Sequence, residues 1–114
     1  MLGQSSQHFY NFAETGYKLK RTGVQVKTIS GERVQMQLVK LQPGFISDHH
    51  HPHEQMGYVV RGEIELTIDS ETQRCGPGCA YHIPADSPHS FRVLSDYPIE
   101  LLEVFSPPKE ENRL

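Results

Sequence analysis

Nowhere in its 114 residues does the chain carry an apolar run near the ~18 that a membrane-crossing helix needs, which argues against a helical membrane span. It also lacks a Lys/Arg stripe. Eleven basic residues against 14 acidic ones leave a formal net charge of −3, and nucleic-acid binding is disfavoured. The opening stretch Met1-Leu2-Gly3-Gln4-Ser5-Ser6-Gln7 has none of the apolar core of a signal peptide, so a cytoplasmic location is expected by default. Cysteine occurs twice, at Cys75 and Cys79 around Gly76-Pro77-Gly78, too few to complete a cysteine zinc site. That spacing would suit a disulfide or two soft metal ligands. Two reduced thiols at the ends of neighbouring strands are the simpler expectation. A convincing helical period is missing as well. Hydrophobic content of 36% with 22% charged residues fits a small barrel with polar loops better than a helical bundle.

What is present is alternation. Val34, Met36 and Leu38 alternate with Gln35, Gln37 and Val39, and Ile64, Leu66 and Ile68 with Glu63, Glu65 and Thr67. Further strands are predicted over Val24–Ile29, Phe45–His51, Gln55–Arg61, Cys79–Ile83, His89–Leu94 and Ile99–Phe105. Turn signals separate them, among them Gln42-Pro43-Gly44, Arg61-Gly62, Gly76-Pro77-Gly78 and Pro84-Ala85-Asp86. Short strands with turns every 8 to 12 residues or so indicate an all-β sandwich or barrel. The length suits one domain with one core. Its barrel core is expected over about residues 22–106, with an N-terminal arm over 1–21 and a charged, proline-led tail over 107–114, extended or mobile. Residues 8–17 suit either a short helix or a strand.

The most informative segment is Asp48-His49-His50-His51-Pro52-His53-Glu54-Gln55, which holds four of the chain's seven histidines. Imidazole is the commonest biological metal ligand, and such a cluster is costly to keep for packing alone. On a strand His49 and His51 project from one face, with Cα atoms roughly 6.6 to 7 Å apart. Their ring nitrogens then reach a single ion at about 2.1 Å. His50 points the other way and suits the surface, as does His82. His53 shares the parity of His51, but Pro52 bends the strand and leaves it at the rim.

Two blocks recur in order. His49-x-His51 is followed by Gln55 and then, after six residues, by Gly62; Gly78 is followed by Pro84, Asp86 and His89. Residues 63–77 lie between them. This resembles the cupin superfamily, whose motifs run G-x5-H-x-H-x3-4-E-x6-G and G-x5-P-x-G-x2-H-x3-N around a short hairpin. The resemblance covers about residues 40–106 and implies an all-β, single-domain cupin jelly-roll β-barrel. It also implies one divalent metal held by His49, His51, Gln55 and His89. The departures are specific. Gly44 stands one residue closer to His49 than in the pattern, Gln55 replaces a glutamate, Asp86 a glycine and Val93 an asparagine. Aspartate tolerates positive φ better than most residues. With three imidazoles and an amide, the shell carries no negative charge. A divalent ion there keeps its full charge as a Lewis acid and favours an anionic ligand. Zn, Ni, Fe, Mn or Cu all suit such donors.

The His-Pro-His-Glu-Gln block and the closing Glu103-Val104-Phe105-Ser106-Pro107 are similar to a subgroup of small cupins from pectin and alginate degradation. Those proteins convert 4,5-unsaturated monouronates from ring to linear keto form, with an acid, an aromatic and an arginine of the last segment lining the pocket. Position by position these are Glu103, Phe105 and Lys109. Lysine cannot grip a carboxylate in bidentate fashion, so substrate or activity is open to change here. The resemblance implies an isomerase-like enzyme on a small anionic sugar acid, with Glu103 moving a proton. A metal-dependent dioxygenase and a non-catalytic sugar-binding module remain alternatives. Tyr58, Val60, Leu102 and Val104 take the parity opposite to Gln55 and Glu103, an outward apolar patch that leads us to expect a homodimer.

Overall fold

The computed structural model describes residues 8–113. Among them ten strands form: β1 Lys18–Arg21, β2 Val24–Ser30, β3 Gln35–Leu41, β4 Ile46–His49, β5 Glu54–Arg61, β6 Ile64–Ile68, β7 Glu71–Cys75, β8 Ala80–Ile83, β9 His89–Val93 and β10 Ile99–Ser106. Single 3-10 turns occupy Phe12–Glu14 and Glu110–Asn112. A six-stranded sheet runs β1-β2-β3-β10-β5-β8 and a four-stranded sheet β4-β9-β6-β7, with every pairing antiparallel. This is a jelly roll whose two sheets enclose the core without closing into one hydrogen-bonded cylinder. No helix among the described residues is long and apolar enough to cross a membrane.

Period-two burial fills the interior. Val24, Val26, Val39, Leu41, Val59, Ile99 and Leu101 of the large sheet meet Ile64, Leu66, Phe91 and Val93 of the small one. Each such side chain contributes about 1.5–3 kcal/mol by leaving water. Strand β3 is an exception in kind. It turns Gln35 and Gln37 inward and leaves Met36 40% exposed, because its inner face borders a polar cavity as well as the core. Two tight positions fix the frame. Gly62 has φ +87° and an added Cβ there would collide with Ile99. Asp86, standing where the motif has glycine, adopts φ 65°.

Residues 18–21, within the stretch expected as an arm, pair with β2 at the edge of the large sheet. The tail departs from the extended or mobile form expected of it. It folds back so that Lys109 and Asn112 are buried. Gln35 fastens it: its Nε2 donates to the Lys109 carbonyl at 3.1 Å, and its Oε1 accepts from the Lys109 amide at 3.2 Å and from Asn112 Nδ2 at 3.4 Å. A buried primary amide must satisfy its donors and acceptor, and the returning tail supplies these partners together with Ser30 Oγ, which accepts from Gln35 Nε2 at 2.9 Å. Cys75 and Cys79 are free thiols, one ending β7 and the other preceding β8.

Candidate metal centre

The two sheets meet at one end of the jelly roll, and the histidines converge there. His49 closes β4 and pairs in register with His89, the first residue of β9. His51 follows in the loop. One ring nitrogen from each of the three lies within 4.8 Å of the others. An ion bonded to all three at about 2.1 Å would draw them closer together.

Backbone carbonyls set the tautomers. His51 Nδ1 lies 3.0 Å from the His53 carbonyl and His89 Nδ1 2.9 Å from that of Ser87. A carbonyl only accepts, so both Nδ1 atoms carry the proton and both Nε2 atoms present lone pairs. His89 Nε2 is buried with no hydrogen-bond partner among the described residues. Burial, with nearby His89, Lys109, His51 and Arg21, holds His49 down at about 4, and burial with Lys109 and His89 does the same for His51. Burial also lowers His89. The rings are therefore neutral near pH 7, as metal ligation requires.

Gln55 joins the cluster from β5, with Oε1 3.1 Å from His51 Nε2 and Nε2 donating to Glu103 Oε2 at 2.5 Å. The first contact sets one lone pair against another. A cation bound by both atoms resolves it. Turning the amide over would place its oxygen against the Glu103 carboxyl, which suits only the protonated acid. Together with the orphaned His89 nitrogen, this makes the donor set fit a divalent ion.

Glu103 stands on β10, between Gln37 of β3 and Gly57 of β5. It is 6% exposed, and its Oε2 accepts from both Gln55 and the Tyr81 hydroxyl, the latter at 2.8 Å. No hydrogen bond among the described residues engages Oε1. Burial pushes the carboxyl up, against the opposing effects of Tyr81, Gln55, Lys109 and Lys20. Phe105 is buried beside it, 6.1 Å from the His51 ring, with Lys109 Nζ 4.7 Å above its own ring. Gln55, Glu103, Phe105 and Lys109 line one pocket with His49, Gln37 and the side chains of Lys20 and Arg21; its interior is about 50 Å³ and opens to solvent.

The structure thus brings His49, His51, Gln55 and His89 into one cluster and sets Glu103, Phe105 and Lys109 around the adjoining pocket. His50 is exposed. His82 is exposed on β8 and bonds Glu54 at 2.7 Å. His53 lies at the rim, its ring 5.4 Å from that of His51. Sequence reasoning missed Tyr81, Lys20 and Arg21. A tyrosine on an alternating strand reads as ordinary core, and two cations in Lys18-Leu19-Lys20-Arg21 read as a solvated edge.

A cupin-domain family model matches residues 37–105. Among curated proteins the chain is similar to polyketide synthase CurC of Streptomyces cyaneus, 34% identical over 89 residues covering 76% of this chain and 58% of that protein. It is also similar to quercetin 2,3-dioxygenase of Bacillus subtilis, 29% identical over 84 residues covering 73% and 25%. The chain therefore spans little more than half of the first protein and a quarter of the second. Among solved structures, KdgF from Halomonas sp. superimposes with a TM-score of 0.85 at 27% identity, covering 93% of this chain and 98% of that one. An RmlC-like cupin from Shewanella frigidimarina has the same fold, with a TM-score of 0.84 at 22% identity and coverage of 93% and 96%.

Proposed function

This chain belongs to the cupin family, and from that premise we propose that it is a metal-dependent isomerase acting on a small anionic sugar acid. His49, His51, Gln55 and His89 would hold one divalent transition ion of the Zn, Ni, Fe, Mn or Cu type. Bound there without a carboxylate ligand, the ion supplies Lewis acidity toward substrate oxygens.

The observation that carries the reading is the state of Glu103. One carboxyl oxygen is clamped by Tyr81 and Gln55 while the other is left to the cavity, in a setting that raises its proton affinity. A carboxyl held in this way is suited to accept and return a proton. Ring opening of a 4,5-unsaturated monouronate asks for this and for no oxidant. The anomeric hydroxyl gives up its proton, its C–O bond becomes a carbonyl, and the ring C–O bond breaks. The enolate released then takes a proton at C4. In this reading Glu103 Oε1 accepts the first proton and delivers the second. Phe105 walls the ring, and Lys109 faces it with positive charge. The likeness to KdgF, together with the resemblance of the closing strand to the ring-opening cupins, supports this substrate class.

Metal-loaded protein incubated with a 4,5-unsaturated monouronate should speed the loss of its ring-proton NMR signals. Decay no faster than in buffer would remove this reading. A second reading, a metal-dependent dioxygenase, is favoured by the likeness to quercetin 2,3-dioxygenase. Oxygen uptake by iron- or nickel-loaded protein during substrate screening separates the two. In this proposal the protein works in the cytoplasm as a homodimer, with Cys75 and Cys79 kept as thiols.

A further inference from the structure

Strand β1 is turned against its own hydrophobicity. Leu19 is 72% exposed, while Lys20 beside it is half-buried and points its stem into the pocket. The pairing with β2 slips between Leu19 and Arg21, so Lys20 occupies a β-bulge. Bulges re-aim a side chain, and this one exchanges a buried leucine for an inward ammonium group. Neither packing nor pairing explains that exchange.

Lys109 reaches the same pocket from the returning tail and is only 8% exposed. Its Nζ lies over the Phe105 ring, yet among the described residues neither lysine's ammonium makes an ion pair or hydrogen bond with the chain. The acids facing them are Glu103, whose Oε2 is already engaged, and Glu111 at the rim. Burial and the neighbouring Lys109 bring Lys20 down to about 8, and burial lowers Lys109 as well. Among the described residues neither acid bonds either ammonium, so the two cations are costly to enclose together, and an anion between them lowers that cost.

We propose that Lys20 and Lys109 form the carboxylate-binding end of the pocket, one ammonium to each carboxylate oxygen, with the ligand's remaining oxygens toward His49. The inference rests on the anionic-substrate reading above and deepens it. It says where the charge of the substrate sits, and it makes β1 a determinant of specificity. A lysine is a point charge, so two of them are needed to fix the two oxygens that a single guanidinium would hold. An uncharged sugar of the same shape gains nothing at this end.

Calorimetry on zinc-loaded protein with D-glucuronate and D-glucose tests it. Wild-type protein should prefer glucuronate. Lys20→Met keeps the stem and should weaken glucuronate binding about tenfold or more, leave glucose binding and zinc affinity unchanged, and be rescued by Lys20→Arg. Equal glucuronate affinity in Lys20→Met and wild type overturns the proposal while leaving the isomerase reading intact. A wild-type protein indifferent to the carboxylate overturns both. Should Lys20→Met lose glucuronate while wild type fails to open the unsaturated uronate, the subsite stands and the ring-opening reading falls. Where turnover is seen, the variant should raise KM with kcat little changed.

Discussion

Gln55 touches a would-be metal ligand with one end and the acid with the other, so small changes there act on both. Tyr81 shares that load by donating to the same oxygen of Glu103. Tyr81→Phe keeps the ring and removes the donor. We expect kcat on the unsaturated uronate to fall about tenfold or more with KM near the wild-type value, as measured by initial rates. The histidines set a pH dependence. His49 and His51 sit at about 4 when folded, against about 6.5 for a free imidazole, so the native state binds fewer protons. Their cost is absent above about pH 6.5 and grows as pH falls toward 4. Thermal melts of the metal-free protein should therefore drop across that window, and His51→Asn should flatten part of the drop. The clustering of His49, His51, Gln55 and His89 was legible because two ordered motifs single out these four positions, whereas strand parity put His51 on β4 and the structure leaves it in the loop that follows. Tyr81 and Lys20 were not, because their roles depend on which strands become neighbours and on a bulge that no local pattern announces.

At the level of elements, β5 and β8 pair with Gly57 opposite Tyr81, a position where no side chain fits. A Cβ on Gly57 would collide with the Tyr81 ring, which passes over the strand to reach Glu103. Gly57→Ala should destabilise the fold by about 1–3 kcal/mol and lower activity, readable in urea titration and in kcat. The strands predicted from alternation all appear in the structure, with ends moved by one or two residues; the one expected over Phe45–His51 stops at His49, so His51 lies off the strand. Strands β1 and β7 escaped because neither buries a stripe: β1 faces its leucine outward, and β7, Glu71-Thr72-Gln73-Arg74-Cys75, is exposed up to its last residue. Both lie at sheet edges, where charged side chains guard unpaired backbone and blur the period-two signal. The inward Gln35 and Gln37 mislead in the opposite sense, since a polar face directed at a cavity looks like a solvent face.

Across the whole molecule, the outer surface of the large sheet is apolar and continuous. Val104 pairs with Met36 on one side and Met56 on the other, and Leu102 with Leu38 and Tyr58. Met56 is 56% exposed, Tyr58 46% and Val60 45%, more than scattered surface hydrophobics account for. A second copy of the chain is the occupant we propose. Sedimentation should report a dimer, and Tyr58→Lys should shift it to monomer without loss of the fold; a monomeric wild type contradicts the proposal.

The Gln35 clasp on the returning tail has a consequence in time as well as in space. The Lys109 N–H is held by a side-chain oxygen at 3.2 Å rather than by a strand ladder, so it can exchange with solvent whenever the clasp opens, while the sheets stay intact. That single amide is a clock for how often the floor of the pocket swings free. Deuterium uptake at residue 109 should slow when D-glucuronate is present, and quicken in Gln35→Leu.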